Sequence, residues 1–234
     1  MQHSTTDKYN KTMPQTAVVI GATGLTGTTL VTLLLHDPNF SKVKVLLRNP
    51  SFKQRPGLEI VLVDFNDEEG FSEALQGDVL FCCIGTTIRQ AGTKERFREV
   101  DFQIPVRCAT LARRHGIQQF QLISAIGANA HARNFYLRTK GEVEHAVEKL
   151  GFPSLHIFRP SILIGIRKVF RLKEWLGIVL AMVFYFLWQG RWRKYRPVKA
   201  ANVARAMLNV AKKAPDGTHV YEYDAIKELA MQGR

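Results

Sequence analysis

Tyr136 and Lys140 stand four residues apart in the stretch "NFYLRTKGE", residues 134–142. On a helix that spacing brings both side chains to one face. A free phenol, with a pKa of about 10, is slow to exchange its proton at neutral pH. An ammonium one turn along favours the phenolate and draws the phenol toward the working range. The pair can therefore be a proton donor and its activating cation, or an ordinary surface pair on a basic helix. Spacing alone does not separate the two.

The glycines of "GATGLTG" narrow the choice. Gly21, Gly24 and Gly27 form a GxxGxxG triplet between the β-branched run "TAVVI" (16–20) and the apolar "TTLVTLLLHD". A strand-to-helix turn of this kind lets backbone approach a pyrophosphate at the helix N-terminus, where free N–H groups and the helix dipole favour an anion. Thr23, Leu25 and Thr26 share that turn and are expected to touch the cofactor. At the end of the second strand, NAD-specific folds place an Asp or Glu for the ribose hydroxyls. Arg48 holds that position here, with Lys53 and Arg55 following. A guanidinium grips a 2′-phosphate in fork geometry where a carboxylate would repel it, so NADPH is expected in preference to NADH. After the third strand, Asp64 and Phe65 are expected to flank the adenine. After the fourth, "IGTT" brings Ile84, Gly85 and Thr86 to the edge where cofactor lies close to backbone.

The elements that must position these residues read as an alternation. Strands are expected at 16–20, 42–47, 58–63, 78–84, 118–124 and 154–160, separated by helical runs, two of which close on Gly116 and Gly151. Pro105, inside "EVDFQIPVRCATLARRHG", implies a kink or a fresh helix start. Such an order implies an α/β fold: a doubly wound, mainly parallel Rossmann-type sheet with helices on both faces and a small C-terminal substrate or partner region. A length of 234 residues suits one domain, 16–234, after a flexible N-terminal arm, 1–15. Cys82, Cys83 and Cys108 show no CxxC spacing and read as reduced core residues, so no metal site is expected. The arm lacks the apolar core of a signal peptide, and a cytoplasmic location is expected.

In combination these motifs resemble a short-chain dehydrogenase/reductase. GATGLTG, Ser124 at the end of the fifth strand and Tyr136-x-x-x-Lys140 on the next helix carry the resemblance. The glycine spacing is similar to that of the extended and atypical branches, and "FRPSILIG" and "VARAML" resemble an atypical group. The resemblance implies that Tyr136 gives a proton to a substrate carbonyl oxygen as hydride arrives from NADPH. It implies that Ser124 holds that oxygen, that Lys140 also bonds the nicotinamide ribose, and that Pro160 lines the nicotinamide. Arg159 is as well suited to bracing the sheet edge as to catalysis. "REVDF" departs from the pattern, with Asp101 where extended members commonly carry an asparagine that supports a proton relay.

Residues 166–199 form an expected insertion, a lid or interaction segment. From 166 to 200 the chain carries nine Lys/Arg against Glu174 alone, so +8 of the net +13 lies there. Its apolar run "WLGIVLAMVFYFLW" (175–188) is shorter than the roughly 20 residues that span a bilayer. Three readings stand: a substrate-pocket lid, packing against a protein partner or second subunit, and peripheral membrane contact through 175–196 with basic and tryptophan flanks. Nucleic acid is disfavoured, since no reader motif accompanies the basic patch. The function expected is that of an NADPH-dependent reductase acting on an unknown small molecule. The alternatives are an NADPH-binding regulatory or assembly protein with little turnover, and an epimerase or dehydratase that holds its cofactor tightly.

Overall fold

The computed structural model describes residues 14–165 and 190–232. The first 13 residues of the expected arm, and 166–189 of the expected insertion with its apolar run 175–188, lie outside the described residues.

The chain opens with β1 (Gln15–Ile20), α1 (Leu25–His36), β2 (Phe40–Leu47) and β3 (Leu58–Leu62). A short α2 (Glu68–Ser72) leads to β4 (Val79–Cys82), followed by α3 (Ile88–Ala91) and α4 (Lys94–Arg98). A π-helical turn (Glu99–Gln103) joins α4 to α5 (Ile104–Arg114), and β5 (Gln119–Ile123), α6 (Phe135–Glu148) and β6 (Ser154–Phe158) complete the alternation. Two short strands, β7 (Leu163–Ile164) and β8 (Val198–Lys199), flank the undescribed stretch. The chain then forms α7 (Ala200–Lys213), β9 (Gly217–Tyr221) and α8 (Tyr223–Met231).

Seven strands pair in the order β3-β2-β1-β4-β5-β6-β9, every pairing parallel. Residues of β4, β5 and β6 are buried on both faces; β4 is a continuous apolar run, while β5 and β6 also bury polar side chains, Gln119, Gln121, Ser154 and His156. One face packs on α1, α7 and α8, the other on α2, α5 and α6. On α7 the buried residues Val203, Ala204, Met207, Val210 and Ala211 recur at helical spacing and form the stripe that meets the sheet. Strand order reverses between β1 and β4, so the loops leaving their carboxyl ends part and open a crevice.

The seventh strand, β9, is held to β6 by a buried polar relay. Ser154 Oγ donates to the Pro215 carbonyl (2.9 Å), so it accepts from His156 Nε2 (2.8 Å), and His156 Nδ1 accepts from the Tyr221 hydroxyl (3.1 Å). With its proton committed to a carbonyl, Ser154 is no nucleophile despite the adjacent imidazole. Burial, with His219 stacked 5.5 Å away, holds the His156 imidazole down to about 3.

Pro105 marks a fresh helix start. It stands at the beginning of α5, and the π turn before it closes with Ile104 N–H reaching back to the Glu99 carbonyl.

Candidate functional site

Gly21 to Gly24 make the turn from β1 into α1. Gly21 takes φ +75°, and a Cβ there would lie 2.5 Å from the backbone of Cys83 and Ile84. Gly27, in the first turn of α1, passes the Gly21 carbonyl so closely that a Cβ would sit 2.3 Å from it. The loop is thereby pressed onto the end of β4, leaving Thr23 and Gly24 exposed at the crevice. Gly24 caps α1 without a side chain, so nothing of its own covers the first N–H groups, which have no intrahelical partner. Thr26 is buried and its Oγ1 lacks a hydrogen-bond partner among the described residues. Leu25 meets Gly165 after β7, where a Cβ would lie 3.1 Å from its side chain.

Arg48, Lys53 and Arg55 are all exposed beyond β2. Asp64 is exposed, its Oδ1 accepting from both the backbone N–H and the side-chain amide of Asn66. Phe65 corrects the expectation of an adenine-flanking ring. Its side chain is buried and meets Phe71 edge-on at 5.6 Å, because the apolar face of α2 claims it for the core. Only its backbone faces outward to a side chain: its carbonyl accepts from Arg107.

At the other half of the crevice, "NFYLRTKGE" is the first half of α6. Asn134 caps it, its side chain accepting from Leu137 N–H (3.1 Å). Gly141 lets the helix dock: a Cβ there would fall 2.1 Å from the backbone of Asn129, whose N–H donates to the Leu137 carbonyl (3.1 Å). One turn further along, Glu144 is gripped by Arg159 beyond β6, Nε to Oε1 at 3.0 Å and Nη2 to Oε2 at 2.5 Å. Arg159 thus ties α6 to the sheet edge, and its catalytic alternative finds no geometric support.

Lys140 is buried and forms an ion pair with Asp101 at 2.7 Å. Asp101 is fully buried, and its second oxygen accepts from Thr86 N–H at 2.9 Å. Gly85 lies beside the pair, where a Cβ would stand 3.9 Å from both Lys140 Nζ and Asp101 Oδ1. Burial is the largest single influence and would depress the Lys140 ammonium; the Asp101 carboxylate, Tyr136 and Cys82 together hold it above its ordinary range. Burial pushes the Tyr136 phenol up, Lys140 pulls it down, and Asp101 pushes it up again. The net direction is upward, so Lys140 by itself does not bring Tyr136 toward neutrality; the expected lowering joins its charge to that of an oxidised nicotinamide. Phe97, on α4, holds the Tyr136 ring at 5.6 Å between centroids.

Tyr136 borders a cavity of about 480 Å³. Its described walls are largely apolar, with Ala125, Ile126, Leu137 and Pro160 on the side of the sheet and α6. Ser161, Ile162 and Tyr195, which flank the undescribed stretch in sequence, complete the described walls. Ser124 precedes Ala125 at the end of β5. It is buried, its backbone N–H is held by the Phe158 carbonyl (2.7 Å), and its Oγ has no partner among the described residues. A cradle that a Cβ would fill and two orphaned hydroxyls, Thr26 Oγ1 and Ser124 Oγ, fit a nicotinamide dinucleotide. Sequence spacing missed the Asp101–Lys140 pair, the Gly141 approach and the cavity walls other than Tyr136 and Pro160. Only the asparagine-to-aspartate departure at Asp101 signalled the first. No group of residues that could hold a metal ion occurs among the described residues.

The chain matches the NAD(P)H-binding family over residues 21–163. It is 36% identical to protein HTATIP2 of Rattus norvegicus, covering 85% of this chain and 82% of that protein. It is 30% identical to the mitochondrial protein FMP52 of Candida albicans, covering 85% and 89%. Among solved structures it is similar to the Bordetella bronchiseptica enzyme WbmH in complex with NAD+, at a TM-score of 0.68 and 17% identity, covering 93% and 80%. The UDP-glucose 4-epimerase of Thermotoga maritima is similar at a TM-score of 0.67 and 14% identity, covering 88% and 76%; at such identities the likeness is one of fold. The expectation of a cytoplasmic protein does not stand, because the yeast relatives are named as mitochondrial proteins. No helix among the described residues is long and apolar enough to cross a membrane. From the glycine loop through the Tyr136–Lys140 helix, the chain belongs to the NAD(P)H-binding family, as an atypical short-chain dehydrogenase/reductase.

Proposed function

We propose that the protein is an NADPH-dependent reductase of a small carbonyl compound, with Tyr136 as proton donor. The observation that carries this reading is a cavity bordered by Tyr136, with Lys140 acting on its phenol and, beside the cavity residue Ala125, the buried Ser124 hydroxyl, which has no hydrogen-bond partner among the described residues. A reduced nicotinamide, when bound, supplies the hydride. The N–H groups opening α1 hold the pyrophosphate, and Arg48, with Lys53 and Arg55 beside it, holds the 2′-phosphate. Ser124 donates to the substrate carbonyl oxygen and polarises it. Lys140 bonds the ribose with the N–H groups that Asp101 leaves to it. Tyr136 gives its hydroxyl proton to the carbonyl oxygen as the carbon is reduced, so the products are an alcohol and a tyrosinate that solvent reprotonates.

NADPH oxidation against a panel of small aldehydes and ketones tests the assignment. Tyr136→Phe is expected to lose turnover by at least about 100-fold, the usual worth of general acid catalysis, with NADPH affinity nearly unchanged. Turnover surviving in Tyr136→Phe contradicts it. The second reading, an NADPH-binding protein acting through protein or membrane-surface contacts, is favoured by the basic and apolar composition of 166–199. Under that reading Tyr136→Phe changes neither NADPH binding nor partner recruitment. Failure of the protein to cosediment with anionic vesicles at low salt removes its membrane arm.

A further inference from the structure

The backbone is rearranged to deliver Asp101 to the site. Pro105 has no N–H to offer the Asp101 carbonyl, and in an unbroken α-helix its ring would press on that carbonyl. The π turn Glu99–Gln103 widens the helix there by one residue. Asp101 lies in that turn with no exposure, one oxygen on Thr86 N–H and the other 2.7 Å from Lys140 Nζ.

Among the described residues, few other charges face this group. From α6 come Tyr136 and Lys140 themselves, and from the π turn Asp101. The end of β4 contributes Cys82, a thiol pushed up to about 12 by burial and therefore neutral. From α4 comes the apolar Phe97 ring, and from the cavity side the Tyr195 phenol. On neighbouring turns, Glu144 is already paired with Arg159 and Glu142 with Arg98. Among the described residues, the field at Tyr136 is thus set by one cation and one anion in contact.

We propose that Asp101 is a positioning residue that closes Lys140 into a net-neutral buried pair and so keeps Tyr136 in its phenol form, setting the site to donate a proton rather than to take one. This rests on the reading of Tyr136 as proton donor and gives that reading a direction. In reduction the carbonyl carbon gains a hydride with its two electrons, the carbonyl oxygen takes the Tyr136 proton, and an alcohol leaves. The reverse reaction begins from a tyrosinate, which an unpaired Lys140 would stabilise and the closed pair does not. With an uncharged amide at position 101, Lys140 would stand as a lone buried cation, and the Tyr136–Lys140 couple would release its first proton more readily.

The test needs neither substrate nor cofactor. Tyrosinate absorbance is followed against pH in the full chain, and the matching Tyr136→Phe protein is subtracted at each step to isolate Tyr136. Asp101→Asn keeps the side-chain shape and an oxygen for Thr86 N–H. It is expected to bring the Tyr136 titration down by at least about one pH unit. The Asp101→Asn/Lys140→Met double variant removes both charges and is expected to titrate as the wild type does. Should the single variant fail to fold, the double variant carries the test. Tyr136 titrating at the same or a higher pH in Asp101→Asn overturns the proposal, as does a double variant displaced from wild type by a unit or more. Because the titration is read without turnover, an inactive protein leaves it interpretable. Turnover that survives Tyr136→Phe would sink the proton-donor reading without moving the titration.

Discussion

Gly21 is the residue on which the cofactor loop turns. Its φ of +75° lies where side chains are strained, and a Cβ would meet the backbone of Cys83 and Ile84 at 2.5 Å, with no flexible side chain to yield. Gly21→Ala is expected to destabilise the fold by about 1–3 kcal/mol and to weaken NADPH binding by at least about tenfold. Chemical denaturation and calorimetric titration of the same preparation check both, and unchanged affinity would show that the loop does not touch cofactor. This residue was legible in the sequence because its requirement is local: a strand, a tight turn and a helix in succession. Asp101 was visible only as a departure from a pattern, since its partner Lys140 lies on another helix and a π turn decides where it points. Phe65 was misjudged for a related reason. Its neighbour Asp64 faces solvent, and nothing in "DF" tells that α2 will draw the ring into the core.

α6 carries Tyr136, the proposed proton donor, and three contacts place it: the Asn134 cap, the Gly141 approach to Asn129, and the Arg159–Glu144 fork. Glu144→Gln leaves Arg159 partly buried with half its partner, and is expected to cost about 1–3 kcal/mol in denaturant unfolding. Wild-type stability in that variant would mean the fork holds nothing. β9 carries the other prediction at this scale. His156 titrates near 3 in the fold and near its ordinary 6.5 when unfolded, so between these values the unfolded chain binds the extra proton. Stability is therefore whole above pH 6.5 and falls as pH drops toward 3, by up to about 1.4 kcal/mol per pH unit from this group. His156→Gln should flatten that part of the profile, and identical slopes for the two proteins would rule out His156 as its source. The relay was not legible in advance. "THVYEYD" mixes polar and apolar residues, and only its pairing with β6 turns Tyr221 toward His156.

Over the whole molecule, six strands could be read from the sequence because each is a short run rich in apolar and β-branched residues, bounded by turns and helices. The seventh lies at the sheet edge, half exposed, and lacks that signature. Strand order then does what no single motif can: it parts the loops after β1 and β4 and brings the glycine cradle, Gly85, Lys140 and the Tyr136 cavity along one crevice. Arg48 stands at one end of it, unlike the carboxylate of NAD-specific folds. The central claim, a reductase built around NADPH, is tested most directly by calorimetric titration of the wild type and Arg48→Ala with NADPH and with NADH. The account predicts that NADPH binds the wild type more tightly than NADH. Arg48→Ala should weaken NADPH by roughly 10- to 100-fold, the worth of a charge-assisted hydrogen bond, while leaving NADH nearly unchanged. Equal affinity of the wild type for the two nucleotides would contradict it.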